Sequence, residues 1–390
     1  VCGRESSEAC RTHVTRDWRE RKSIAVKNVM PQGKAATIYD IASLAKVSPS
    51  TVSRALTQSK HPVSAEMRER ILQAAKQLDY IPNAQARYLK TQNNPSIGII
   101  IPSIDNPFYP SLVRGMADVA VEQGYSIYLS NCDREYQLTD RQVLSMLELN
   151  VHGIISIYLD KMTPSLRSFI ERGGALVSLT GTHTEFEGVH NIQVDKVEES
   201  RIAMKHLVGL GHRKIALFMD ELNCQIRADK VQGYRESLEQ EGLTEYLYIY
   251  GLDCGQNDHS HFSTDADRAG TFVEAFLRRS PECTAILCMN DMLALGVCAA
   301  LRKHGYRVPE DFSVMGYDNA FFSEFCYPAL TTVALEKYAW GQHLMRYMLD
   351  LLDGSRKRSN SVQADFLEPV YLLERESTAK PRSWEISVTT

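Results

Sequence analysis

Apolar positions along the chain follow two different periods. Over residues 37–56 (TIYDIASLAKVSPSTVSRAL) the spacing is helical: Ile38, Ile41, Ala42 and Ala45 make one apolar side, and Val52, Ala55 and Leu56 a second. Thr37 suits the N-cap of the first helix, with Asp40 in its acidic first turn. Ser48 caps the second, and Pro49 takes its first position, where a missing N–H costs nothing. Lys46, Val47 and Ser48 form the turn, and Val47 plugs the angle between the helices. A third helix follows a cap at Ser64, with Ile71, Leu72, Ala75 and Leu78 as its buried stripe. Pro82 then breaks the chain and Asn83 caps a segment of roughly six residues, well short of the roughly 12–15 at which an isolated helix becomes marginal in water.

From Ser96 the pattern changes to short β-branched runs at 97–102, 125–130, 153–159 and 175–180, with helical segments at 109–122, 139–149 and 165–171 between them. The alternation repeats with strands at 214–219, 246–250, 285–289 and 313–316 and helices at 230–240, 266–278 and 293–303. Strand–helix alternation predicts doubly wound parallel sheets, here in two halves.

The 390 residues are 44% hydrophobic and 24% charged, ordinary values for a globular protein. No window approaches the roughly 20 apolar residues of a membrane helix, so no membrane partner is expected. Residues 37–92 carry eight basic side chains against four acidic ones, a net +4, which leaves −8 on the rest of a chain whose total is −4. A basic head on an acidic body suits a protein whose head alone meets phosphate. The outward residues of the second helix, Ser50, Thr51, Ser53 and Arg54, are small hydroxyls and one guanidinium, a composition fit for the DNA major groove. Nine cysteines without a CxxC pair suggest a reducing cytoplasm, with Cys283, Cys288 and Cys298 as buried thiols. Residues 1–36 are rich in arginine and lack a sustained period; they read as a disordered N-terminal extension with Met30 as the physiological start, or else as a basic arm. The run Asp258-His259-Ser260-His261 has no partner at a recognisable ligand spacing, so no metal or other cofactor is expected. No GxSxG elbow, P-loop or strand-first dinucleotide loop is present, and no catalytic residue is assigned.

The run TIYDIASLAKVSPSTVSRAL followed by VSAEMRERILQAAKQLDYIPNAQARYL resembles the DNA-binding headpiece of the LacI/GalR family of bacterial transcription regulators. The stretches VDKVEESRIAMKHLVGLGHRKIALF, CMNDMLALGVCAALRKHGYRVPEDFSVMGYDN and PALTTV resemble the periplasmic-binding-protein-like body that this family carries behind its headpiece. The resemblance implies a small all-α helix-turn-helix headpiece at 37–81, a hinge helix and linker at 82–95, an effector-binding and dimerisation domain of two subdomains at 96–377, and a tail at 378–390. It implies phosphate contacts from Tyr39, Thr51 and Ser53, with Thr37 and Ser48 also at the DNA. Base-reading positions fall on Pro49, Ser50 and Arg54. The hinge, with Asn83 and Arg87, forms on DNA beside its twin and wedges Leu89 into the minor groove.

In open α/β sheets, ligands bind outside the carboxyl ends of the strands. Those ends carry the 105–109 loop, Thr180, Asn290 and Asp318, polar groups and aromatics that suit a polyhydroxylated ring. The family's effector positions fall on Asn106, Phe108, Tyr109, Asn290 and Asp318; Asn290 and Asp318 also read as caps of the adjoining helix and turn. Sugar-responsive members often have an arginine ahead of the Gly-Tyr pair, here Gly233-Tyr234. Without gaps that place falls on Ala228, so Arg227 or Lys230 is expected to supply the charge. Phe321 and Phe322 either add aromatic surface at the cleft mouth or pack the crossover. The expected protein is a cytoplasmic, nucleoid-associated homodimeric repressor of a pseudo-palindromic operator, controlled by a small-molecule effector, a sugar or sugar derivative. The alternatives are a purine- or nucleoside-responsive regulator with its ligand as corepressor and, more remotely, a solute-binding protein.

Overall fold

The structure, a computed structural model, describes residues 36–56, 63–80, 95–133, 135–181, 186–219, 224–249, 265–279, 282–356, 361–363, 367 and 369–382. It divides into two units, residues 1–93 and 94–390. Residues 1–35, the Asp258–His261 run and the hinge residues Asn83, Arg87 and Leu89 lie outside the described residues.

In the first unit, α1 (Ile38–Leu44), α2 (Pro49–Leu56) and α3 (Ala65–Gln77) close on one apolar core. Thr37 and Asp40 form a reciprocal capping box: Asp40 N donates to Thr37 Oγ1 at 3.4 Å, and Thr37 N donates to Asp40 Oδ2 at 2.7 Å. The end of α1 is as tightly specified. Lys46 is left-handed (φ 51°), Val47 N donates to Ala42 O and Lys46 N to Ser43 O, so the last carbonyls find donors within the turn. Val47 thereby turns onto the core, as expected. Ile41, Val52 and Ile71 are fully buried. One position differs from the expected stripe: Leu72 is 42% exposed, and Ala74 is buried in its place. The i+3 and i+4 neighbours of Ile71 are Ala74 and Ala75, and Leu72, one residue on, is rotated by about 100° onto the flank.

The second unit holds two six-stranded sheets. The first runs β11-β5-β4-β3-β1-β2, built from β1 (Ser96–Ile101), β2 (Ser126–Asn131), β3 (Gly153–Ile157), β4 (Ala175–Thr180), β5 (His190–Gln193) and β11 (Ser361–Gln363), all parallel. Its helices are α4 (Phe108–Glu122), α5 (Tyr136–Glu148) and α6 (Pro164–Glu171). The second sheet runs β12-β10-β9-β8-β6-β7, from β6 (Ile215–Met219), β7 (Tyr246–Ile249), β8 (Ala285–Cys288), β9 (Ser313–Tyr317), β10 (Thr331–Ala334) and the antiparallel β12 (Tyr371–Leu373). It packs α7 (Lys196–Gly209), α8 (Gln225–Glu241), α9 (Asp265–Arg279) and α10 (Asp291–Lys303). Largely apolar runs such as SIGIII and IALFM are buried on both faces, as parallel strands between helix layers must be.

The two halves are not consecutive in the chain. After β10, α11 (Lys337–Leu352) packs against α4 of the first half, β11 joins the first sheet, and β12 returns to the second. The contact of α4 with α11 is backbone to backbone. A Cβ on Gly115 would overlap the Tyr338 carbonyl oxygen, and one on Gly341 the Leu112 carbonyl oxygen.

Candidate DNA-reading helix and effector cleft

On α2 the hydroxyls form a chain along the exposed side. Ser48 Oγ lies 2.7 Å from Ser50 Oγ and 2.8 Å from Thr51 Oγ1, accepts from Thr51 N at 3.2 Å, and Arg54 reaches Thr51 Oγ1 at 3.3 Å. Ser48 thus caps the helix while its neighbours hold the guanidinium over the outer face. Arg54, Ser50 and Ser48 are exposed, Thr51 and Ser53 half-buried, and Tyr39 is 69% exposed. No acidic side chain stands on α2. The result is a rigid helix with a hydroxyl and guanidinium surface, free of carboxylates that would repel phosphate.

In each sheet the strand order reverses at one place, between β1 and β3 in the first and between β6 and β8 in the second. A cleft of about 310 Å³ lies at the carboxyl ends of these strands, where crevices form in doubly wound sheets. Pro102, Ser103, Asp105 and Asn106 line it after β1, and Tyr158 after β3. Met219 lines it at the end of β6, Met289 and Asn290 after β8, and Asp318 after β9. Seven of the eight residues expected there do line it: Asn106, Phe108, Tyr109, Arg227, Lys230, Asn290 and Asp318. Thr180 does not. It is buried, and its hydroxyl donates to Ile192 O at 3.5 Å.

The amides do two jobs. Asn106 Oδ1 accepts from Phe108 N at 2.9 Å at the start of α4; Asn290 Oδ1 accepts from Leu293 N at 2.9 Å at the start of α10. Asn290 Nδ2 donates to Asp265 Oδ2 at 2.6 Å. The capping reading of Asn290 and its place in the cleft therefore hold together. Asp318 has a left-handed backbone (φ 96°), and Lys337 donates to its carbonyl and to that of Asn319. Burial pushes the Asp318 carboxyl upward, against the pull of Lys230 and Lys196. Strained non-glycine backbone of this kind persists where its surroundings over-determine it.

Helix α8 begins at Gln225, five residues earlier than its apolar pattern indicates, so Arg227 and Lys230 stand on its first two turns and share a face. Ala228 is exposed and lines no part of the cleft. Lys230 is buried; its ammonium donates to Met289 O at 3.0 Å and sits 3.7 Å from the centre of the Tyr317 ring. Burial pushes its pKa down, with Glu199 and Asp318 opposing.

The sequence pattern missed Lys196, Tyr158, Asp265 and Arg268, all in the lining. Lys196 ion-pairs with Glu199 on the first turn of α7, and both are 2% exposed. Burial works against the Lys196 charge, but Glu199 and Tyr158 hold it above its ordinary value. The visible signal was a lysine and a glutamate three apart on a helix face otherwise made of Val197, Ala203, Met204 and Leu207. The Phe108 and Tyr158 rings stack, 6.2 Å apart and 24° from parallel, and burial pushes the Tyr158 hydroxyl up to about 12. Asp291, next to Asn290, accepts from Ser323 Oγ at 2.6 Å, Ala320 N at 2.8 Å and Thr332 Oγ1 at 2.8 Å, tying the strand crossover to the start of α10. Phe321 and Phe322 do not reach the cleft; Phe321 is 76% exposed. Among the described residues no cluster of His, Cys, Asp and Glu is arranged to hold a metal, and no helix is long and apolar enough to cross a membrane.

A helix-turn-helix unit joined to a two-sheet cleft body is the architecture of a DNA-binding transcription regulator. The chain belongs to the LacI family. Residues 37–83 match the model of bacterial regulatory proteins of that family, and residues 204–378 match a periplasmic binding protein-like domain. The transcriptional repressor PurR of Vibrio atlanticus is 30% identical over 322 residues, covering 81% of this chain and 91% of that protein. The Lac repressor dimer bound to operator and the anti-inducer ONPF superposes with a TM-score of 0.72 at 28% identity, covering 89% of this chain and all of that one. The transcriptional regulator CelR in complex with cellobiose gives 0.61 at 25% identity, covering 88% and 99%. These are regulators, and this chain is a regulator rather than an enzyme.

Proposed function

We propose that this protein is a homodimeric repressor whose hold on a pseudo-palindromic operator is set by a sugar or sugar derivative bound in the cleft. The cleft carries this reading. Its 310 Å³ leave room for roughly ten water-sized groups, the scale of a sugar ring. Carboxylates, amides and cations around the Phe108–Tyr158 wall match hydroxyl pairs and the apolar face of such a ring. The likeness to a regulator solved with cellobiose supports the ligand class, and the likeness to an operator-bound dimer supports the paired arrangement.

In this reading residues 37–81 read DNA, 82–95 form the hinge, and 96–377 bind effector and a second copy, in the cytoplasm on the nucleoid. Tyr39, Thr51 and Ser53 hold phosphates, and Thr37 and Ser48 stand at the same DNA face. Pro49, Ser50 and Arg54 face base edges, and Asn83, Arg87 and Leu89 work at the minor groove. Exposed apolar side chains on edge strand β2 (Tyr128, Leu129), near the end of α4 (Val121) and on the crossover (Phe321, Phe325, Tyr327) supply surface for a two-fold partner. Ligand binding at the junction of the two sheets favours one relative orientation and, by linkage, one operator affinity.

Anisotropy titrations of the protein on duplexes from its own promoter region, with and without candidate sugars, test this. A bound sugar is expected to shift operator affinity by about 5–150-fold. A sugar that binds and leaves operator affinity unchanged would falsify the reading. The stacked aromatic wall also suits a planar base, which favours a purine or nucleoside corepressor as the second reading; that ligand would tighten operator binding.

A further inference from the structure

The turn after β9 is held from both halves of the body. Asp318, which lines the cleft, and Asn319 after it are both left-handed, with φ 96° and 46°. Two residues with side chains rarely adopt that region in succession, and such backbone persists only where its surroundings over-determine it. The second half supplies most of the fastening. Asp318 N donates to Val333 O at 2.9 Å and Asn319 N to Thr332 Oγ1 at 3.3 Å, both on β10. Ala320 N donates to Asp291 Oδ2 at 2.8 Å, and Arg375 donates to Asn319 Oδ1 at 2.8 Å.

The two carbonyls of the turn find their donor on another element. Lys337 Nζ donates to Asp318 O and, at 2.8 Å, to Asn319 O. Lys337 opens α11, the helix that meets α4 of the first half backbone to backbone at Gly115 and Gly341. In turn, α4 begins with Phe108 and Tyr109, which line the cleft from the first half. A cation at a helix N-terminus opposes the helix dipole. Burial also pushes the Lys337 ammonium down, with Asp318, Asp291 and Glu336 opposing. Helix stability therefore gives no reason for a lysine here, whereas the two carbonyls do. Lys337 is not among the residues that line the cleft, so it acts through Asp318 and not on a ligand.

We propose that Lys337 is a positioning residue of the cleft. It sets the turn that presents Asp318 and ties that turn to α11. A contact made at Asp318 in one half is thereby passed to the helix pair that carries Phe108 in the other. This rests on the reading of the cleft as the effector site.

Hydrogen–deuterium exchange on the full chain without ligand tests it first. Lys337→Met keeps an apolar stem and removes the donors. It should speed exchange by about tenfold or more both in the 318–323 turn and in the first turn of α11. Arg375→Met, which unfastens the same turn from the second half alone, should speed the turn and leave α11 as it was. An unchanged turn in Lys337→Met overturns the inference, as does the full pattern in Arg375→Met. If Lys337→Met loses its melting transition, Lys337→Gln, which keeps an amide donor, should show a smaller change in the same two places. Calorimetry with ribose, glucose, galactose and cellobiose then reads the ligand side. A sugar that binds the unaltered chain should bind the lysine variant about tenfold or more weaker, and equal affinity overturns the inference while leaving the sugar reading standing. If none of the four binds, the sugar reading fails, and the exchange pattern by itself decides the role of Lys337.

Discussion

Replacing Gly341 by alanine should destabilise the body, although the same change is favourable on helix propensity. Gly341 faces the Leu112 carbonyl across the α4–α11 contact, and a Cβ there would also stand 3.0 Å from Met116 N. The obstacle is main chain, so no rotamer change relieves it. The helices must part, and Leu112, Met116, Leu344 and Met345, all fully buried, lose packing. Overpacking of this kind costs about 1–3 kcal/mol, against a gain of about 1 kcal/mol for alanine over glycine in a helix. Because the clash is with backbone, the upper end of the cost applies, for a net loss of about 2 kcal/mol. Gly270, inside α9, is the control: a Cβ there meets nothing within 4 Å, so Gly270→Ala should gain about 0.5–1 kcal/mol. Urea unfolding followed by far-UV circular dichroism reads both. Gly341→Ala should also weaken effector binding, since α4 carries Phe108 and Tyr109 while Lys337 of α11 holds the Asp318 carbonyl. If the two alanine variants shift the midpoint in the same direction, the reasoning from the backbone contact is wrong.

Two further outcomes are expected from the geometry. Arg54→Ala should relax base preference at one operator position and cost about 1–3 kcal/mol there, measured by titrating variant duplexes; a uniform loss across all sequences would mean a phosphate contact instead. His212 is buried, with Nδ1 2.8 Å from Thr284 Oγ1 and Nε2 2.9 Å from Ala379 O, and burial holds its pKa down at about 4. The unfolded chain therefore takes up this proton first: the contribution is complete above about pH 6.5 and fades toward pH 4, by at most about 3 kcal/mol. His212→Gln should flatten that part of the stability profile, and an unchanged slope would show that other groups govern it.

The headpiece was legible because its determinants are local. Thr37 with Asp40, Ser48 with Pro49, and the spacing of Ile41, Val52 and Ile71 specify caps, turn and core within a few residues of one another. The strand ends were legible too, since an apolar run that stops at Asn106, Asn290 or Asp318 marks its own carboxyl end. Leu72 shows where local reading stops: two adjacent apolar residues on a helix cannot both face a narrow core, and the partner helices choose. Thr180 and Phe321 sit at the right ends of strands by the same logic, yet one turns inward and the other outward. Strand position says where a side chain starts, not where neighbouring elements let it point.

Lys196 and Glu199 make the division plain. Sequence by itself determined a DNA-binding head and a body of parallel strands whose ends carry polar and aromatic residues. Only the tertiary structure decided that α7 begins beside α8, so that Lys196 and Lys230 share one buried carboxylate on the wall of the cleft. The reason is physical: periodicity records which residues a chain can bury, whereas the cost of a buried charge depends on partners more than thirty residues away that only folding brings within reach.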